Sequence, residues 1–160
     1  MREIERIVNQ MERAFAGDAW YSSSLQAILT GVTAEQAAAR PIANAHSIWE
    51  IILHVAAWQG AVRGRLEGES VKIPEEGDWP KVTDTSETAW QSALELLRAR
   101  HRALLETVLR VSDARLDDLI SSERNAETGG GVSFYITLHG IIQHDVYHSG
   151  QIALLKKAFQ

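Results

Sequence analysis

The sequence predicts an all-α chain folded as a four-helix bundle, and three observations predict it. Apolar residues recur at i, i+3, i+4 and i+7 over four long segments. No segment alternates with the period of two that a half-buried strand shows. The three prolines, Pro41, Pro74 and Pro80, all fall between the periodic segments, where a missing amide N–H costs a helix nothing. A length of 160 residues suits one domain spanning 1–160, with four amphipathic helices burying their stripes against one another.

Each element follows from its own pattern. Ile4, Ile7, Val8, Met11 and Phe15 predict a first helix over about 2–16, broken at Gly17-Asp18. Leu25, Ile28 and Leu29 predict a shorter helix before Gly31. Thr33-Ala-Glu-Gln36 has the form of a capping box and opens a short alanine-rich turn that Pro41 closes. Ser47-Ile-Trp-Glu50 repeats that signature and opens a second long helix over about 47–67, with Ile51, Ile52, Val55, Trp58 and Val62 on its stripe. Residues 68–83 read as a connection, and Glu67, Glu69, Glu75, Glu76 and Asp78 around it are expected to be solvated acids. Fully extended, that connection reaches roughly 50 Å against a helix of about 30 Å, so it can either turn tightly or cross the bundle. Asp84-Thr-Ser-Glu87 is expected to cap a third long helix carrying Trp90, Leu94, Leu97, Leu104, Leu105 and Val108. A short helical turn is expected around 113–119, and 126–131 is the loosest stretch. A fourth long helix is expected over about 132–158.

Composition excludes several function classes. With no cysteine, the chain has no disulfide scaffold, thiolate nucleophile or zinc ribbon. A net charge of −5 argues against nucleic acid or an anionic membrane surface as a partner. Charges interrupt the apolar positions of the N-terminus, which is expected to be neither a signal peptide nor a membrane span. The longest apolar stretch, 51–58, falls far short of the ~20 residues a spanning helix needs. A cytoplasmic protein with a small-molecule substrate is the expectation.

The chemistry concentrates on histidines. His144 and His148 lie one turn apart, the spacing at which two imidazoles reach one cation. At about 100° per residue, both fall within roughly 60° of Ile141, Leu155 and Phe159, so both are expected to face the bundle interior. Two core histidines satisfied by backbone or water are the plain alternative. His54, flanked by Ile51, Val55 and Trp58, adds a third inward imidazole from another helix. Three such ligands suit zinc, nickel or ferrous iron and leave a position open for water or substrate.

Ser47-Ile-Trp-Glu-Ile-Ile-Leu-His54-Val-Ala-Ala-Trp58, taken with Gly140-Ile-Ile-Gln-His144-Asp-Val-Tyr-His148-Ser-Gly-Gln151, resembles the DinB/YfiT-like superfamily of metalloenzymes. The likeness extends to Gly17-Asp-Ala-Trp20, Thr33-Ala-Glu-Gln-Ala, Trp79 and Trp90. It implies a four-helix bundle holding one divalent metal on His54, His144 and His148. It also implies thiol-dependent chemistry, since characterised relatives include transferases and isomerases that use a low-molecular-weight thiol. Without cysteine, such a thiol must come from a cosubstrate. A metal-dependent hydrolase is the alternative enzyme, and a non-catalytic, stress-associated metal- or ligand-binding protein is the alternative from another class. A homodimer is expected from the resemblance.

Supporting residues carry competing roles. Glu50, one turn before His54, reads either as a capping-box residue or as a general base or imidazole acceptor. Asp145, near the edge of the histidine stripe, reads as a hydrogen-bond partner of an imidazole or as an interhelical contact. Either carboxylate could supply a fourth ligand and close the site. Trp58 and Trp20 are the aromatic residues expected to line a pocket, and Gly150 is expected to permit close helix packing. His46 reads as a helix-entry residue, and His101 and His139 as ordinary ones.

Overall fold

The computed structural model describes residues 1–123, 125 and 127–159. Six α-helices follow in order: α1 (Glu3–Phe15), α2 (Leu25–Leu29), α3 (Ala34–Ala38), α4 (Ile48–Leu66), α5 (Glu87–Val108) and α6 (Phe134–Lys157), with a 3₁₀ turn at Asp113–Arg115 between α5 and α6. Among the described residues there is no strand, and the fold is an all-α four-helix bundle of α1, α4, α5 and α6. No helix among them is long and apolar enough to cross a membrane.

The caps explain the boundaries. Thr33 Oγ1 accepts from Gln36 N while Gln36 Oε1 accepts from Thr33 N. The same reciprocal box joins Ser47 and Glu50 at the start of α4. At α5 the cap is Ser86, whose hydroxyl accepts from Ala89 N; Asp84, expected as the cap, instead accepts from Ser86 N. The shorter Ser86 side chain is the one placed to reach the open amides of the first turn. The turn expected around 113–119 is shorter, and Asp113 uses both carboxylate oxygens to accept from Glu3 N and Ile4 N, capping α1 from across the bundle. Ala126, the first residue of the stretch expected to be loosest, lies outside the described residues.

Helix directions resolve the question left open by the long connection. Trp49 packs on Trp90 with ring centroids 5.1 Å apart, and Thr107 Oγ1 donates to Glu67 Oε1 at 2.9 Å. The starts of α4 and α5 therefore lie together, as do their ends, so the two helices are parallel. Residues 67–86 must travel back along the whole bundle. The helix α6 runs antiparallel to α4: Ile152 and Leu155 meet Ile48 and Ile52, while Leu138 and Ile141 meet Val62 and Leu66. The helix α1 runs with α6, its Ile4 and Ile7 joining Phe134 and Leu138. The order is up, down, down, up, with one long crossover.

The apolar interior forms two clusters, one around Leu25, Ile52, Trp90 and Ile152, the other around Ile4, Leu104, Val108 and Leu138. Buried polar side chains from three helices lie between them in sequence register: His54 and Gln59 on α4, His101 on α5, and Asp145, His148 and Ser149 on α6. Polar groups removed from water are costly unless paired, so this belt is where the fold invests in chemistry.

A three-histidine centre at the bundle waist

His54, His144 and His148 come together, each offering a ring nitrogen, and these atoms all lie within 4.8 Å of one another. His54 and His148 are buried, whereas the His144 side chain is 25% exposed and marks the open side. The reason lies in the α6 stripe. Buried positions include Phe134, Leu138, Ile141, Asp145, His148 and Ile152, which centres the stripe about 40° from His148 toward Asp145. Asp145, expected at the edge, is thus inside, and His144 occupies the rim.

Each imidazole has an acceptor behind it. His54 Nδ1 lies 2.6 Å from the carbonyl oxygen of Asp78, His148 Nδ1 lies 2.7 Å from Gln151 Oε1, and His144 Nδ1 lies 3.4 Å from Asp145 Oδ1. A carbonyl oxygen only accepts, so the contacts of His54 and His148 place the hydrogen on Nδ1 and leave the Nε2 lone pair of each ring free. Nε2 of His54 and Nε2 of His144 are 2.9 Å apart, a distance at which either a proton or a metal cation must lie between the two lone pairs. Burial holds the His54 imidazole below the ordinary histidine range and pushes His148 down to about 4, the neighbouring His144 adding to both. Inward-facing imidazoles, each oriented by an oxygen behind its Nδ1, are a donor set that suits a divalent transition metal.

The carboxylates divide differently. Glu50 is committed to the capping box through Oε2 and pairs with Arg40 through Oε1; no contact joins it to His54. Asp145 is buried, accepts from Gln59 Nε2 at 2.7 Å through Oδ2, and faces His144 Nδ1 through Oδ1. Burial raises its pKa, against the hydrogen bonds from His144 and Gln59. Both carboxylates are thus occupied behind or away from the three Nε2 atoms, and the three-histidine group has no fourth carboxylate ligand among the described residues.

Residues expected to be ordinary complete the centre. Asp78, read as a solvated acid, supplies its carbonyl to His54 and its carboxylate to Trp58 Nε1 at 2.8 Å. Trp79 stacks on His54 at 3.9 Å and on His46 at 3.6 Å, sandwiched between them. The crossover delivers both, and the stretch that holds them carries no periodicity to announce it. Gln59 was equally silent, being a polar residue within an apolar run. Trp58 lies beside the centre, 6.3 Å from the His54 ring and 6.2 Å from that of His144. A groove of about 350 Å³ there is lined by Trp58, Ile136, Ile141 and His144. Trp20 is elsewhere: it is 99% exposed and shares a shallow depression with Ile142 and Val146, on the opposite side of α6. Gly150, expected at a close packing contact, faces open space. A larger cavity of about 680 Å³ between α2 and the start of α5 does not touch the histidines.

Comparison with known proteins bears on this arrangement. No curated protein matches the chain. A crystal structure of a conserved protein from Enterococcus faecalis superposes with a TM-score of 0.72 at 16% identity, covering 99% of this chain and 97% of that one, a likeness of fold. The sequence profile of the DinB superfamily matches residues 20–152, a span that holds all three histidines and the crossover behind them. By that match, the chain belongs to the DinB superfamily.

Proposed function

We propose that this chain binds one divalent metal on His54, His144 and His148 and is a metal-dependent enzyme of the low-molecular-weight-thiol transferase type. The observation that carries the metal reading is the convergence of three imidazoles: one ring nitrogen from each lies within 4.8 Å of the others, and an oxygen stands behind each Nδ1. When bound, a divalent cation there supplies Lewis acidity and favours the deprotonated form of a coordinated thiol. The chain's own residues do the rest. Asp78, Gln151 and Asp145 orient the imidazoles, and Trp79 and Trp58 shield them from water. The rim position of His144 keeps the centre reachable from the adjoining groove.

The absence of cysteine assigns the sulfur nucleophile to a cosubstrate. Transfer then joins thiol sulfur to an electrophilic carbon, releasing the thiol proton and the carbon's leaving group. A site free of a fourth carboxylate ligand, next to a groove, favours turnover over closed ligand storage.

Metal content by plasma mass spectrometry on untagged protein tests the reading. Wild type is expected to carry about one equivalent of zinc, nickel or iron, as one three-histidine site predicts, and His148→Ala to lose it while helical circular dichroism persists. A metal-free wild type that cannot be reconstituted overturns it. Thiol-conjugation and ester-hydrolysis assays on the loaded protein then separate transferase from hydrolase, and silence in both points to ligand binding without turnover.

A further inference from the structure

Arg65, in the last turn of α4, is a cation in an unusual position. It is 6% exposed, yet no carboxylate among the described residues forms an ion pair with it, and its Nε is buried without a hydrogen-bond partner. Nη2 donates to the Lys72 carbonyl at 2.9 Å, and Cζ stands 5.2 Å over the Trp58 ring. These contacts use one nitrogen and one face of the guanidinium. The C-terminal end of α4 offsets part of the charge. A buried cation left without a counter-ion is still costly, and capping one carbonyl would be served as well by a neutral amide.

The side chain lines the groove that reaches His144. The apolar walls there are Trp58, Val62, Ile136 and Ile141. Trp58 touches both ends of the argument: Arg65 lies over its ring, and the His144 ring is 6.2 Å from it. Gly129, in the left-handed conformation at φ 73°, faces the guanidinium; a Cβ there would stand 3.5 Å from Nη1. Glu127 also lines the groove. The groove therefore offers one unpaired guanidinium, an apolar wall and no second Lys or Arg among its described residues.

We infer that this groove is a substrate subsite for a small organic monocarboxylate, with Arg65 as its counter-ion and the Trp58 side of the groove holding its apolar body. One guanidinium matches one carboxylate by charge and by planar geometry. A dianion such as a phosphate monoester would meet Glu127 with a single cation, among the described residues, to neutralise it. The inference rests on the three-histidine reading for its meaning as a substrate site: the anion is anchored while the rest of the molecule extends toward His144. Burial without a carboxylate partner also holds the Arg65 guanidinium below its usual pKa, consistent with a group awaiting a counter-ion.

The test titrates hexanoate and its neutral counterpart hexanamide into the full chain, both EDTA-treated and zinc-loaded. Calorimetry gives affinity, and ¹⁵N-edited spectra follow the Trp58 indole and the Thr137 amide. The expected result is a preference of about tenfold for hexanoate, the size of one charge-assisted hydrogen bond, present in the metal-free protein. Arg65→Met, which keeps the stem, should abolish that preference, and Arg65→Lys should retain part of it. Equal affinities, or a preference unchanged in Arg65→Met, overturn the inference. A preference seen only with zinc and intact in Arg65→Met also overturns it, assigning the anion to the metal and leaving the metal reading standing. A chain that binds no zinc but shows the Arg65-dependent preference keeps the anion subsite and removes the metal reading. Should Arg65→Met fail to fold, the wild-type pair decides: shifts at Trp58 and Thr137 with hexanoate but not hexanamide support the subsite, and identical shifts overturn it.

Discussion

At the residue scale, six histidines divide by what stands behind each ring. His54, His144 and His148 each have an oxygen behind Nδ1 that orients the ring, and their spacing and apolar flanks made them legible in the sequence. The acceptors were less so, because a backbone carbonyl such as that of Asp78 has no side-chain signature. His101 is different: it stacks on Phe15 at 3.6 Å, is buried, and its Nδ1 has no partner. Burial pushes its pKa down to about 4 from an ordinary value of 6.5. The native state thus binds fewer protons than the unfolded chain between those two values. Stability from this group is complete above about pH 6.5 and is lost as pH falls toward 4, by on the order of 2–3 kcal/mol. In metal-free protein, His101→Phe is expected to keep the stack and flatten the acid limb of a Tm-against-pH profile. An unchanged slope would show that the acid sensitivity resides in groups other than His101.

Among elements, the boundaries of α4 and α6 were nearly legible because caps are local: Ser47, Glu50 and Ser133 act within one turn of their own positions. The same locality settles Glu50. Its oxygens serve the Ser47 amide and Arg40, and its pKa is held low by the Ser47 N–H and Arg40 against the opposing effect of burial. Glu50→Ala is therefore expected to cost about 1 kcal/mol of stability in urea unfolding, the size of a lost cap, while zinc affinity stays within about twofold. A hundredfold loss of zinc affinity with unchanged stability would instead make Glu50 part of the metal centre. What elements could not reveal was the centre of the α6 stripe. With two histidines and an aspartate replacing apolar residues along it, the sequence pattern placed His144 inside and Asp145 at the margin, and packing against α4 reversed them.

For the whole molecule, the decisive feature is the parallel pair α4 and α5. Helix existence followed from periodicity, but direction depends on where a non-periodic connection goes, and no local rule states that. The crossover lays Asp78 and Trp79 against His54, so the histidine centre unites parts of the chain as distant as residues 54, 78 and 148. Contacts that close such long loops form late in folding, since their entropy must be paid before they stabilise anything. The helices can collapse while the three rings are still apart. Zinc is then expected to leave the refolding arm of a stopped-flow chevron almost unmoved and to slow the unfolding arm, roughly tenfold for each 1.4 kcal/mol of binding free energy. Acceleration of refolding by zinc would place the centre in the folding nucleus. Parallel helices joined by a full-length return would thus make a cation bound there a lock on the finished bundle, governing how long the native state lasts more than how quickly it is reached.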